Sequence, residues 1–182
     1  RDENPCYYVY RIVMGDHTQT GLVAATPVSA YLANTVRKHE YTRPDKEDDR
    51  VRQIDEVDAQ TGPVLVVHEP QVAIGAVLAD VTAREATYDV TQPDGVRHII
   101  WAVTDGDEVQ RVADAYAPVD VLYIADGHHR SAAAARVAAL RDARRVEGDL
   151  HLRFLIVAFP SDELRILDYN RVVKDLNGLS KE

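Results

Sequence analysis

Six consecutive residues, Asp126-Gly127-His128-His129-Arg130-Ser131, place a carboxylate, two imidazoles, a guanidinium and a hydroxyl around one glycine. Val119 to Ala125, just before them, is apolar and β-branched and predicts a buried central strand. Ser131 to Leu140, just after, is alanine-rich and predicts a helix. A strand that turns through glycine into a helix leaves the first-turn amides without intrahelical acceptors, at the positive end of the helix dipole. Such a place binds anions, and phosphate suits it best. The amides of Gly127 to Arg130 would hold the phosphate, Arg130 would grip two of its oxygens as a fork, and His128 and His129 would add donors. Asp126, at the carboxyl end of the strand, can take Mg²⁺ or orient a hydroxyl. The competing structural reading is a capped turn whose histidines pack and hydrogen-bond internally. Polar groups this dense at a strand end are costly unless used. Neither Gly-Lys-Ser/Thr nor G-x-G-x-x-G is present, which excludes a Walker loop and a dinucleotide fingerprint.

Three further groups bear on chemistry. His39-Glu40 sits in the polar stretch Arg37 to Arg43, and Glu40 is the candidate general base, against the plainer reading of a solvated surface acid. His68-Glu69 follows an apolar strand and ranks below it, because Pro70 and the apolar run beyond have a structural look. Tyr169-Asn170-Arg171 could stack on a base and bind phosphate or carboxylate, and a capping turn explains the run equally well. His39 and Arg171 are accordingly the candidate substrate-binding residues. A metal centre drawn from His39, His68, His98, His128 and His129 is disfavoured: adjacent histidines on a turn rarely ligate one ion, and no helical His-x₃-His pair exists.

Composition bounds the rest. With 182 residues, 46% of them hydrophobic, the chain can bury one good core or two small lobes. A net charge of -9 argues against nucleic-acid binding, which needs a basic face. Cys6 is the only cysteine, so an internal disulfide and a cysteine zinc cluster are both excluded. No apolar run reaches a membrane span and no signal pattern opens the chain, which reads as cytoplasmic with no membrane partner. An opening Arg1-Asp2-Glu3-Asn4-Pro5 without Met points to a single domain cut from a longer protein.

The elements that must position these residues follow in order. Cys6 to Val13 and Gly21 to Thr26 form a hairpin across Gly15 to Thr18. Val28 to Val36 is ambiguous between a short helix and a loop. Pro44 opens a helix whose acids Asp45, Glu47, Asp48 and Asp49 suit its positive end, with Val51, Ile54 and Val57 as buried face. Lys46 to Arg50 reads as an exposed helix start with local ion pairs. Val64 to Val67 is a buried strand and Gln71 to Ala79 a helix. Ala86 to Thr91 and Arg97 to Val103 form a second hairpin on Pro93-Asp94-Gly95. Asp105 or Asp107 caps a helix to about Tyr116, with Val109, Val112 and Ala113 inward. After the alanine-rich helix, whose Arg136, Arg141, Arg144 and Arg145 read as a solvated face, Glu147-Gly148-Asp149 is a stop. His151 to Phe159 is an interior strand, with Leu164 to Leu167 as its candidate partner. Hairpins mixed with isolated helices predict an α+β fold: a mixed sheet with flanking helices.

Ile124-Ala125-Asp126-Gly127-His128-His129-Arg130, the upstream His39-Glu40-Tyr41-Thr42 with Lys46-Glu47-Asp48-Asp49-Arg50, and the downstream Tyr169-Asn170-Arg171 together resemble a widespread bacterial and archaeal family. That family has long been catalogued as a domain of unknown function. The likeness runs from about Tyr7 to Leu176, with three motifs in the same order. The Asp-Gly-His-His-Arg turn is also similar to the nucleotide-binding turn of the ParB/sulfiredoxin superfamily. Free serine kinases of that superfamily phosphorylate L-serine with ADP or ATP. The resemblance implies a ParB/sulfiredoxin-like core and a phosphotransferase, with Gly127 to Ser131 cradling the nucleotide phosphates. It also implies Asp126 assisting Mg²⁺ or substrate, and Glu40 taking the hydroxyl proton. Ser131 departs from relatives, which commonly carry Tyr or another larger residue there. Two other functions stand beside this one: a non-catalytic nucleotide-binding regulatory module, and a ParB-like DNA-associated protein.

Overall fold

In the computed structural model, residues 4–146, 148–168, 170–175 and 177–180 are described. Glu147 and Tyr169, each part of a run singled out above, lie outside them.

Apolar, β-branched and aromatic runs make the strands, and six of the strands share one row of buried side chains. The opening hairpin is β1 (Tyr7–Met14) and β2 (His17–Pro27). A one-and-a-half-turn helix α1 (Val28–Leu32) resolves the ambiguous stretch and leads to the two-residue strand β3 (Val36–Arg37). Helix α2 (Pro44–Val57), strand β4 (Val64–His68) and helix α3 (Val72–Thr82) follow. Strands β5 (Tyr88–Thr91) and β6 (Arg97–Val103) form the second hairpin, and α4 (Gly106–Tyr116) comes after it. Strand β7 (Leu122–Asp126), helix α5 (His128–Ala143) and strand β8 (Arg153–Pro160) complete the set. One mixed eight-stranded sheet runs β3-β7-β4-β8-β2-β1-β6-β5, with β3/β7 and β4/β8 parallel and the other pairs antiparallel.

Directly paired residues point to the same side of a sheet. Ile124, Val66, Ala158, Leu22, Val9 and Trp101 are paired one to the next across six strands, and all six are buried. This row feeds two apolar clusters. In one, Val64, Val66, Ile124, Phe154 and Ile156 meet Val28 and Tyr31 of α1 and the alanines Ala132, Ala134 and Ala138 of α5. In the other, Val9, Leu22, Ile99, Trp101 and Val103 meet Ile74, Leu78 and Val81 of α3 and Val112 and Ala115 of α4. Small side chains let α5 lie close to the sheet. Asp105 caps α4, its carboxylate accepting from the amides of Asp107 and Glu108.

Several expectations need correction. The strand leading to the glycine turn is neither central nor fully buried: β7 starts at Leu122, stands second from the sheet edge beside the short β3, and buries only Ile124. Leu164 to Leu167 forms no strand, because β8 is already flanked by β4 and β2 and has no free edge; Ile166 is 99% exposed. The expected buried face of α2 is only partly realised: Val51 and Ile54 are half-buried, Val57 is 56% exposed, and no residue of that helix is fully buried. Helix α3 continues through Gly75 to Thr82. Among the described residues no helix is long and apolar enough to cross a membrane.

Candidate functional site: a glycine turn, two histidines and a glutamate

The turn is built by backbone geometry before any side chain acts. Asp126 ends β7 opposite Leu65 near the start of β4. Gly127 then takes φ 98°, in the left-handed region. A Cβ on it would stand 3.2 Å from the Val64 Cα and 3.1 Å from the Arg130 Nε, so glycine is required for conformation and for room. Helix α5 starts without a side-chain cap, and its first regular bond is Ser131 N–H to Gly127 O at 3.0 Å. The amides of His128, His129 and Arg130 therefore keep free donors at the positive end of a sixteen-residue helix.

The side chains of the turn are engaged within the protein. Arg130, expected on phosphate oxygens, donates to Asp126 Oδ2 and to the carbonyl of Pro63, and its guanidinium lies against the turn between Gly62 and Gly127. A carboxylate four residues back on the strand end is a nearer anion than any ligand. In this arrangement the guanidinium clamps the start of β4 to the turn. Ser131 is fully buried, and its hydroxyl donates back to His128 O at 3.0 Å, so its side chain is withdrawn from any ligand. Its amide is spent within the helix as well.

The paired histidines hold the upstream segment. His129 Nε2 accepts the Arg43 amide at 3.1 Å. His128 is buried at 5% exposure, with Nδ1 3.6 Å from Glu40 Oε2. The His39 ring meets the His128 ring edge-on, 4.5 Å between centroids. Burial, reinforced by the neighbouring His39, lowers the His128 pKa below its ordinary value; Glu40 and Asp126 oppose that shift. Among the described residues the buried His128 Nε2 has no hydrogen-bond partner. Of the five histidines considered for a metal, His39 and His128 come together and Glu40 joins them. His98 instead bonds the Tyr10 hydroxyl at 2.6 Å, and His68 is buried against the Tyr116 ring.

Glu40, Asp126 and Gly127 to Arg130 line one cavity of about 490 Å³. Its other wall is the first turns of α2, through Asp45, Lys46, Asp49 and Arg50, where the sequence alone predicts only a solvated helix start. The available signal was Pro44, which fixes the helix start directly after the His39-Glu40 segment. The arginines of α5 are likewise more than a solvated face. Arg136 pairs with Glu47 and Asp48, Arg141 with Asp55 and Asp58, and Arg144 with Asp55; these acids lie on α2 except Asp58, the residue just past its end. Arg171 is exposed in the coil after β8 and does not line the cavity.

No curated protein and no solved structure matches the chain. A family model described as "Protein of unknown function (DUF1015)" matches residues 1–182, and the chain belongs to that family.

Proposed function

We propose that the chain is a small-molecule phosphotransferase of the free-serine-kinase kind, with a ParB/sulfiredoxin-like nucleotide-binding core. It would move a phosphoryl group from ADP or ATP to an alcohol such as free L-serine. One observation carries the reading: the unfilled first-turn amides of α5 and the Glu40 carboxylate open on the same cavity. Phosphoryl transfer asks mainly for positioning and charge neutralisation. The amides of His128, His129 and Arg130 hold the terminal phosphate, with the helix dipole behind them. Glu40 takes the hydroxyl proton as the substrate oxygen attacks phosphorus. The bond from phosphorus to the bridging oxygen breaks, and the nucleotide leaves one phosphate shorter. Asp126 and, across the cavity, Asp45 and Asp49 supply hard oxygen donors of the kind Mg²⁺ takes while keeping several waters. When bound, Mg²⁺ would neutralise phosphate charge. Arg130, committed to Asp126 and Pro63, shapes the turn.

That commitment of Arg130 favours a second reading, a nucleotide-binding regulatory module without turnover. The two separate in one experiment on the purified chain, with ADP and ATP binding followed by calorimetry and phosphoserine by mass spectrometry. Phosphotransfer predicts that E40Q leaves nucleotide affinity within about twofold and lowers phosphoserine formation by roughly 100-fold or more. Nucleotide binding with no phosphoserine in the parent protein establishes the module. Absence of nucleotide binding overturns both.

A further inference from the structure

The geometry points to a transition-metal site formed by His39, Glu40 and His128, distinct from the oxygen ligands suited to Mg²⁺. One ligand atom from each of the three lies within 4.8 Å of the others. Ligands about 2.1 Å from a tetrahedral or octahedral ion stand roughly 3.0–3.4 Å apart. The His128–Glu40 separation of 3.6 Å is already close to this, and His39 and Glu40 are exposed and free to turn the remaining distance.

Three features separate this cluster from ordinary surface polarity. His128 is buried, yet its Nε2 has no hydrogen-bond partner and its Nδ1 faces a carboxylate just beyond hydrogen-bonding range. Nδ1 is thus the ring nitrogen turned toward the cluster, and it is the atom that an ion held there with Glu40 would take. The segment that carries His39 and Glu40 is pinned to α5 by the Arg43 amide on His129 Nε2, so two ligands from one loop are held against the third on a helix. Glu40 and His128 also line the cavity, which leaves coordination positions open on that side.

Two imidazoles and one carboxylate with open positions select borderline ions such as Zn²⁺, Co²⁺ or Fe²⁺ over Mg²⁺ or Ca²⁺, which take all-oxygen sets. An ion there would occupy the Glu40 carboxylate, so metal binding and proton removal by Glu40 are mutually exclusive states, and it would stand beside the free amides of α5. It would therefore favour a ligand with a carboxylate or phosphate that bridges metal and helix. The inference stands on the ligand set and does not depend on phosphotransfer.

Zn²⁺ titrated by calorimetry into the metal-stripped full chain, without nucleotide, reads the site directly. One ion per chain is expected, with Kd tighter than about 10 µM. H39A and E40Q, both at exposed positions, should each weaken it by at least about 10-fold, with thermal unfolding in the absence of metal unchanged. Co²⁺ in place of Zn²⁺ should give a visible absorption band that both variants lose. Binding weaker than about 1 mM, or affinity unchanged in both variants, overturns the assignment. Metal is read here without nucleotide and phosphoserine is read elsewhere, so failure of this site and failure of the phosphotransfer reading are separate results.

Discussion

The two wings of the sheet are fastened by different forces. Around β1 and β6, α3 and α4 bury Ile74, Leu78, Val81, Val112 and Ala115 against Val9, Trp101 and Val103, and charged pairs such as Arg84–Glu108 and Arg111–Asp80 stay peripheral. Around β7 and β4, α5 is packed through its alanines, but α2 only half-buries Val51 and Ile54 and is held to α5 by Arg136, Arg141 and Arg144. The cavity lies in the second wing, and α2 is its wall. Apolar burial fixes a scaffold whatever the ionic strength, whereas a wall held by ion pairs responds to salt and to bound charge.

The division breaks if the wings respond alike to truncation. Trp101→Ala removes a buried aromatic whose Nε1–H donates to Arg84 O, and should destabilise the fold by about 4 kcal/mol in urea unfolding. Arg141→Ala loses two carboxylate partners at the less exposed end of the α2 interface, and should cost only about 1 kcal/mol. An Arg141→Ala loss as large as that of Trp101→Ala would show that α2 belongs to the cooperative core after all.

Salt sharpens the same contrast at smaller amplitude. In about 1 M NaCl, where screening acts over roughly 3 Å, the α2 amides should exchange with deuterium several-fold faster, while those of α4 should not change. Equal acceleration in both helices would remove the distinction.

The apolar wing is also where sequence reading worked best. The β-branched and aromatic run of β1, the Pro-Asp-Gly turn that leads into β6 and the Asp105 cap each act locally, so residue type is enough to find them. Strand order is not local: nothing in Val121 to Asp126 tells how many strands lie beyond it, and so β7 was expected at the centre. In the candidate site, Gly127 and the free amides followed from the strand–glycine–helix succession alone. The partners of the polar side chains did not. Arg130 has both a carboxylate and a carbonyl within reach, and Ser131 a carbonyl one turn back; which of these wins is a matter of angles that spacing does not encode. The meeting of His39 with His128 depends on β3 pairing beside β7, a contact across 86 residues that only the fold reveals.

The smallest effect probes the seam between the two wings. Tyr116 packs against both apolar clusters and touches the His68 ring, yet its hydroxyl is buried without a hydrogen-bond partner. Burial, with the nearby negative charge of Glu163 adding to it, pushes the phenol well above the usual tyrosine range. In the unfolded chain the phenol ionises near its ordinary value of about 10, while in the native protein it keeps its proton to higher pH. Above pH ~10 the unfolded state therefore binds fewer protons, and stability falls as pH rises through that window. Tyr116→Phe removes both the unsatisfied hydroxyl and the ionisation. At neutral pH it should leave stability unchanged or raise it by up to about 1 kcal/mol, and above pH ~10 its melting temperature should decline less steeply than the parent's. A clear loss at neutral pH would mean that the hydroxyl serves a polar network at the seam. The fastening by charge would then extend beyond the cavity wing, and the boundary drawn between the two halves would have to move.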